Sequence, residues 1–226
     1  VIMTFRGAIN SVLRRLREET ISADWSGTLV DATGVTDYQK MIGDLVNEVK
    51  REVEDAWDWT ALRSTVAVAT VSGTQTYTLT GTTQRMRILS VIDQGTGAYL
   101  YPVSDTWIKR AKYPTSSVTN SRPGYYSING TSSGAMTVDL WAKPDGIYNI
   151  DFNVVDPQDD LSSATDSLSV LENIVVLGAW ARAIAERGED GGSLSDMAQK
   201  QYAQSLADAV SQDANRNEAE ISFNAC

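Results

Sequence analysis

A chain of 226 residues with 42% hydrophobic and 21% charged side chains has the composition of an ordinary folded protein, long enough to bury a real core in one large domain or two small ones. Its 19 Lys and Arg against 29 Asp and Glu leave a net charge of -10, which opposes general binding to phosphate backbones. There is no histidine, and Cys226 is the only cysteine, so His-based acid–base chemistry, an intramolecular disulfide and a thiolate metal cluster are all excluded, and neither a cofactor, a metal nor an enzymatic activity is expected.

Phe5, Ile9, Val12, Leu13 and Leu16 recur at helical spacing and predict a first helix over residues 4–19, with Arg6, Arg14, Arg15 and Arg17 on its polar side. The aperiodic stretch "SADWSGTLVDATGV" at 22–35 reads as a loop that leads to Thr36 as an N-cap. From 37 to about 58, Tyr38, Met41, Ile42, Leu45, Val49, Val53 and Trp57 form one long apolar stripe. Glu48, Lys50, Arg51, Glu52 and Glu54 supply charge around it, so this is the strongest predicted helix.

After Leu62 the period changes to two. Val66 and Val68, the turn "SGTQ", then Tyr77 and Leu79 predict a β-hairpin. Further strands are predicted at 85–92, 98–103, 125–128, 135–141 and 148–155, separated by "QGTG", "NGTSSG" and "KPDG". One or two helical turns at "SDTWIKRAKY" interrupt them, and the Ser/Thr/Pro-rich segment 114–123 reads as a mobile, projecting loop. Residues 167–187 are so apolar that a helix there must be buried on most of its circumference. After "GEDGG" a last helix starts near Ser193 with Leu194, Met197, Gln201, Tyr202, Leu206, Ala209 and Val210 along one face.

This order predicts an α+β fold: a helical bundle from the N- and C-terminal helices with an inserted antiparallel β-sandwich or partly open barrel. The expected divisions are 1–61 and 161–215 for the bundle, 62–160 for the β domain and 216–226 for a flexible tail. The longest apolar run, 174–181, is far shorter than the ~20 residues of a membrane span, and Arg6, Asn10 and Arg14 interrupt any apolar N-terminal core, so a soluble protein with no secretion signal and no membrane partner is expected.

Several stretches admit a functional and a plainer reading. Trp57 and Trp59 are either an aromatic binding platform or, with Leu62, a packing junction between domains. "WIKRAKY" at 107–113 alternates bases and aromatics as a single-strand nucleic-acid site does, but three cations in an acidic protein fit a protein contact or a solvated face better. "RRLREE" at 14–19 is a docking face or a solubilising one. "GTGAYL" at 95–100 lacks the third glycine of a dinucleotide fingerprint and reads as a hairpin turn, and the sequon at Asn129 means little without secretion. Asp156, Asp159 and Asp160 resemble an acid–base or cation cluster but lack calcium-loop spacing, so a solvated loop is the simpler reading.

The segments "NEVKREVEDAWDWTALR", "SGTQTYTL" and "RMRILSV", within residues 36–92, resemble the head-to-tail adaptor (connector) proteins of tailed bacteriophages, in the tail tubular protein A type of short-tailed phages. The resemblance extends loosely to the order of elements along the whole chain. It implies a twelvefold homo-oligomeric ring at the head–tail junction of the virion, made in the host cytoplasm, joining the portal protein to the tail nozzle protein. DNA would pass through it during packaging and ejection without specific binding. Under this resemblance the polar tail, with Ile221 and Phe223 as its apolar anchors, is expected to dock on the portal. The acidic stretch 151–196, with ten acidic and two basic residues and including Asp156, Asp159 and Asp160, is then a candidate channel wall that repels phosphates. The alternatives are a carbohydrate-binding or carbohydrate-hydrolysing tail component and a minor virion or scaffold protein without a channel role.

Overall fold

The computed structural model describes residues 3–112, 120–188 and 192–216. The chain forms two compact units, a helical one made of residues 1–61 and 159–226 and a β one made of residues 62–158.

In the helical unit, α1 spans Phe5–Arg15 and α2 spans Asp37–Ala56. The Thr4 hydroxyl caps α1 by accepting from the Gly7 N–H at 3.2 Å. α1 ends four residues earlier than its apolar spacing suggests, because Arg17 takes a left-handed conformation at φ 59° and the Glu18 N–H turns back to the Leu13 carbonyl. Thr36 caps α2 as expected, and a full capping box joins it to Gln39. α4 spans Glu172–Arg187 and α5 spans Ser193–Ala214. Every residue from Ile174 to Ala179 is buried, as a helix packed against α1, α2 and α5 requires. α4 starts five residues later than the sequence suggests because 167–168 is engaged elsewhere: Ser167 bridges Thr4, and the Leu168 N–H donates to the Met3 carbonyl. Gly188, left-handed at φ 60°, closes α4.

Two details of these helices depart from the simple pattern. Lys50 and Glu54, expected among the charges around the α2 stripe, are both 0% exposed. The Lys50 ammonium lies 3.1 Å from the Glu54 carboxylate and donates to the Asp159 carbonyl at 2.9 Å. On α5, Tyr202 and Ala209 of the expected face are buried, but Leu194, Met197 and Gln201 face solvent and the other buried positions are Ser195, Ala198 and Asp213. Small side chains on the inner face let α5 approach α4 so closely that the Tyr202 ring lies against Gly178.

The β unit comprises β1 Arg63–Ala69, β2 Thr76–Thr78, β3 Arg87–Asp93, β4 Tyr101–Pro102, α3 Asp105–Lys112, β5 Tyr125–Ser132, β6 Ala135–Trp141 and β7 Asn149–Val155. Its strands form a three-stranded sheet ordered β1-β7-β3 and a four-stranded sheet ordered β2-β6-β5-β4. Alternate residues of β7 (Ile150, Phe152, Val154) and β6 (Val138, Leu140) enter one apolar core with Leu79, Val91 and Tyr126. The fold is thus α+β, with two sheets over a shared core.

The predicted hairpin across "SGTQ" does not form. β1 pairs with β7 and β2 pairs with β6, so the two halves lie in different sheets. The local turn was legible, but partner choice follows the long-range burial of Phe152 and Val138. The sheets are antiparallel as expected except at the short β4–β5 pair, which runs parallel. The chain between them passes through α3, and a parallel pair needs such a crossover. The turn at 95–100 is a hairpin turn as read, with the Asp93 N–H donating to the Ala98 carbonyl and the Leu100 N–H to the Val91 carbonyl.

Candidate interaction surfaces

The Trp57–Leu62 segment is built around a carboxylate that sequence reading passed over. Asp213, 5% exposed near the end of α5, accepts from the Trp57 indole N–H at 3.2 Å, the Thr60 N–H at 3.0 Å and the Thr60 hydroxyl at 3.2 Å. Trp59, 3% exposed, turns its indole N–H onto the Val53 carbonyl at 2.6 Å. Both indoles are therefore spent on tying the end of α2 to itself and to α5. Trp59 is buried, whereas Trp57 is half-buried. Leu62 belongs to the β unit, where it is 5% exposed and its carbonyl accepts from the Asp156 N–H.

The three aspartates considered for a channel wall or an acid–base pair have separate occupations. Asp156 is half-buried in the β unit and accepts from the N–H and hydroxyl of Thr83, both at 2.8 Å. Asp159 and Asp160 are exposed in the helical unit, where the Asp159 carbonyl serves Lys50 and the Asp160 carboxylate pairs with Arg51 at 3.0 Å. Ile221 and Phe223 lie outside the described residues. Among the described residues no cluster of three or more His, Cys, Asp or Glu side chains is arranged to hold a metal ion, and no helix is long and apolar enough to cross a membrane.

In the β unit a salt bridge pins the segment expected to be mobile, at least over its described part, 120–123. Arg122 reaches the 3%-exposed Asp93 with Nε and with Nη2, the latter at 2.9 Å, and its guanidinium lies 4.6 Å from the centre of the Tyr148 ring. The Arg122 hydrogen bond lowers the Asp93 pKa against the opposing effect of burial, and the Gly95 N–H helps. Tyr148 in turn donates to Asp145 at 2.6 Å, and that bond raises its own pKa.

Next to this clamp lies an exposed aromatic cluster. Trp107 of α3 stands 5.4 Å from Tyr125 and 6.3 Å, edge on, from Trp141, and Tyr125 stands 6.3 Å from Tyr101. Tyr101, Trp107 and Tyr125 are 64%, 42% and 41% exposed. Ile108, 1% exposed, anchors α3 beneath them. Only Trp107 had been singled out in the sequence, because strand pairing alone brings residues 101, 125 and 141 beside it.

Charge divides unevenly between the units. The helical unit has 23 acidic and 11 basic residues, a net of -12, whereas the β unit has 8 basic and 6 acidic, a net of +2. No curated protein gives a significant match to the chain. A family model described as SU10 adaptor protein matches residues 3–222, a span that takes in both units, and the chain accordingly belongs to the SU10 adaptor protein family.

Proposed function

We propose that this chain is a head-to-tail adaptor of the tail tubular protein A type, a subunit of a twelvefold ring that joins the portal to the tail nozzle and lets DNA pass through unaltered. The single observation that carries this reading is the family match over residues 3–222: a member of that family is a phage adaptor protein, a structural component of the virion. The fold is compatible with the role. Asp156 engages Thr83 and Asp160 pairs with Arg51, which supports a structural part for these two carboxylates over carbohydrate hydrolysis. In this reading the residues after Arg216, with Ile221 and Phe223, reach the portal.

Contacts that repeat around an axis are weak singly, and a preformed ring supplies many at once. Light scattering on the isolated protein is therefore expected to give a monomer or small species, and a mass increment of twelve copies on purified portal. Stable rings without portal would refute the dependence on a template, and a protein that binds no portal at any concentration would remove the adaptor reading itself.

A further inference from the structure

The net charge of the β unit resides entirely on one short helix. α3 carries Lys109, Arg110 and Lys112 against Asp105, a net of +2, and the rest of the unit has five basic and five acidic residues. Lys109 is paired with Asp105, and Arg110 is exposed. The cations thus sit on the helix that supplies Trp107 to the aromatic cluster. Tyr, Trp and Arg together are what the centres of protein interfaces accumulate, and exposed rings in contact offer large apolar area with little entropy to lose.

A surface of this kind fits an acidic protein face. Duplex DNA hides its base faces from such rings, and a patch of +2 releases few counterions. The chain itself supplies the complementary chemistry, because its helical unit carries -12 and α2 exposes Asp44, Glu48, Glu52 and Asp55 along one ridge, where Glu48 and Glu52 share the single cation Arg182. Two copies at -10 each repel in most orientations. Screening confines charge effects to about 8 Å at physiological salt, so an approach that sets α3 against an acidic helical face is attractive despite the net repulsion. Contact of one face with a different face on the next copy is the heterologous kind that closes into rings.

We infer that the Tyr101–Trp107–Tyr125 platform of one copy, with the cations of α3, docks on the acidic helical unit of a second copy. The inference deepens the ring reading by naming the faces that meet. To test it, Trp107 is replaced by the photo-crosslinking amino acid p-benzoylphenylalanine, another exposed aromatic, and the protein is irradiated both on portal and alone in concentrated solution. The expected product is a covalent dimer whose crosslink maps to residues 1–61 or 159–226 of the second copy. Arg110→Glu, at an exposed position that folding does not need, should lower the yield about tenfold at low salt. Crosslinks to portal, nozzle, DNA or residues 62–158 of a second copy, or no dimer in either setting, would overturn it. If the chain fails to bind portal, the adaptor reading falls and the concentrated solution still decides this contact. If the crosslinking variant does not fold, sedimentation of the native chain against Arg110→Glu takes its place, and equal self-association of the two would overturn the inference.

Discussion

Helix propensity and packing give opposite signs for Gly178→Ala, which makes it a sharp test of the close helix crossings in the helical unit. In the interior of α4, alanine is intrinsically better than glycine by about 1 kcal/mol. A Cβ built at Gly178 would lie 2.6 Å from Val49 Cγ1 on α2, and 2.8 and 3.0 Å from two ring carbons of Tyr202 on α5. Neither neighbour can yield easily, because Val49 is 0% and Tyr202 6% exposed. Overpacking of this kind costs about 1–3 kcal/mol. The sum is a net loss of about 1 kcal/mol, read as a lower urea midpoint in the far-ultraviolet circular dichroism of the helices. Val49→Ala should act as a partial suppressor, so that Gly178→Ala costs less in that background by about 0.5 kcal/mol or more. A Gly178→Ala protein more stable than the parent would show that α2, α4 and α5 do not meet at this distance and would refute the reasoning.

Two further outcomes are expected. Lys50→Met removes the ammonium between Glu54 and the Asp159 carbonyl and should cost on the order of 3 kcal/mol. Lys50→Met combined with Glu54→Leu should recover most of that loss, and a double variant no more stable than the single, by urea unfolding, would contradict a buried pair. For Asp93, whose pKa is lowered in the fold by Arg122, the stabilising contribution is complete above the unfolded carboxylate value of about 4 and disappears as pH falls through the lower folded value. Asp93→Asn should therefore lose about 1–2 kcal/mol at neutral pH, and the gap to the parent should begin to close below about pH 4 and vanish below the folded value. A constant gap between their melting curves from pH 7 to pH 3 would argue against the Asp93–Arg122 bond.

What could be read in the sequence was local and periodic. The capping box at Thr36, the apolar circumference of α4 and the span of β6 follow from residues close together along the chain. What escaped depended on distant partners. Val66 and Val68 alternate as well for a hairpin as for a ladder with β7, and only the packing of Phe152 decides between them. Lys50 and Glu54, four residues apart, have the spacing of an ordinary surface pair, and their complete burial beside the Asp159 carbonyl depends on a distant part of the chain. The aromatic cluster joins residues 101, 107, 125 and 141 through a parallel pairing that no local pattern announces. Asp213 closes the Trp57–Thr60 turn from the far end of the chain.

The β1–β7 ladder has a consequence for the order of folding. The helical unit is discontinuous, so α1 and α2 leave the ribosome long before α4 and α5, and their apolar faces wait for partners across residues 62–158. Closing a flexible loop of that length costs about 4 kcal/mol in chain entropy. The β unit is contiguous and can fold first, and Arg63 then pairs with Val155 while the Asp156 N–H bonds the Leu62 carbonyl at 2.9 Å. Its two ends thereby become neighbours, and the later halves of the bundle meet as if joined by a short connector. The β unit acts as a splint during synthesis, and slowing its folding should leave the α1–α2 pair exposed to chaperones or to misassociation between nascent chains.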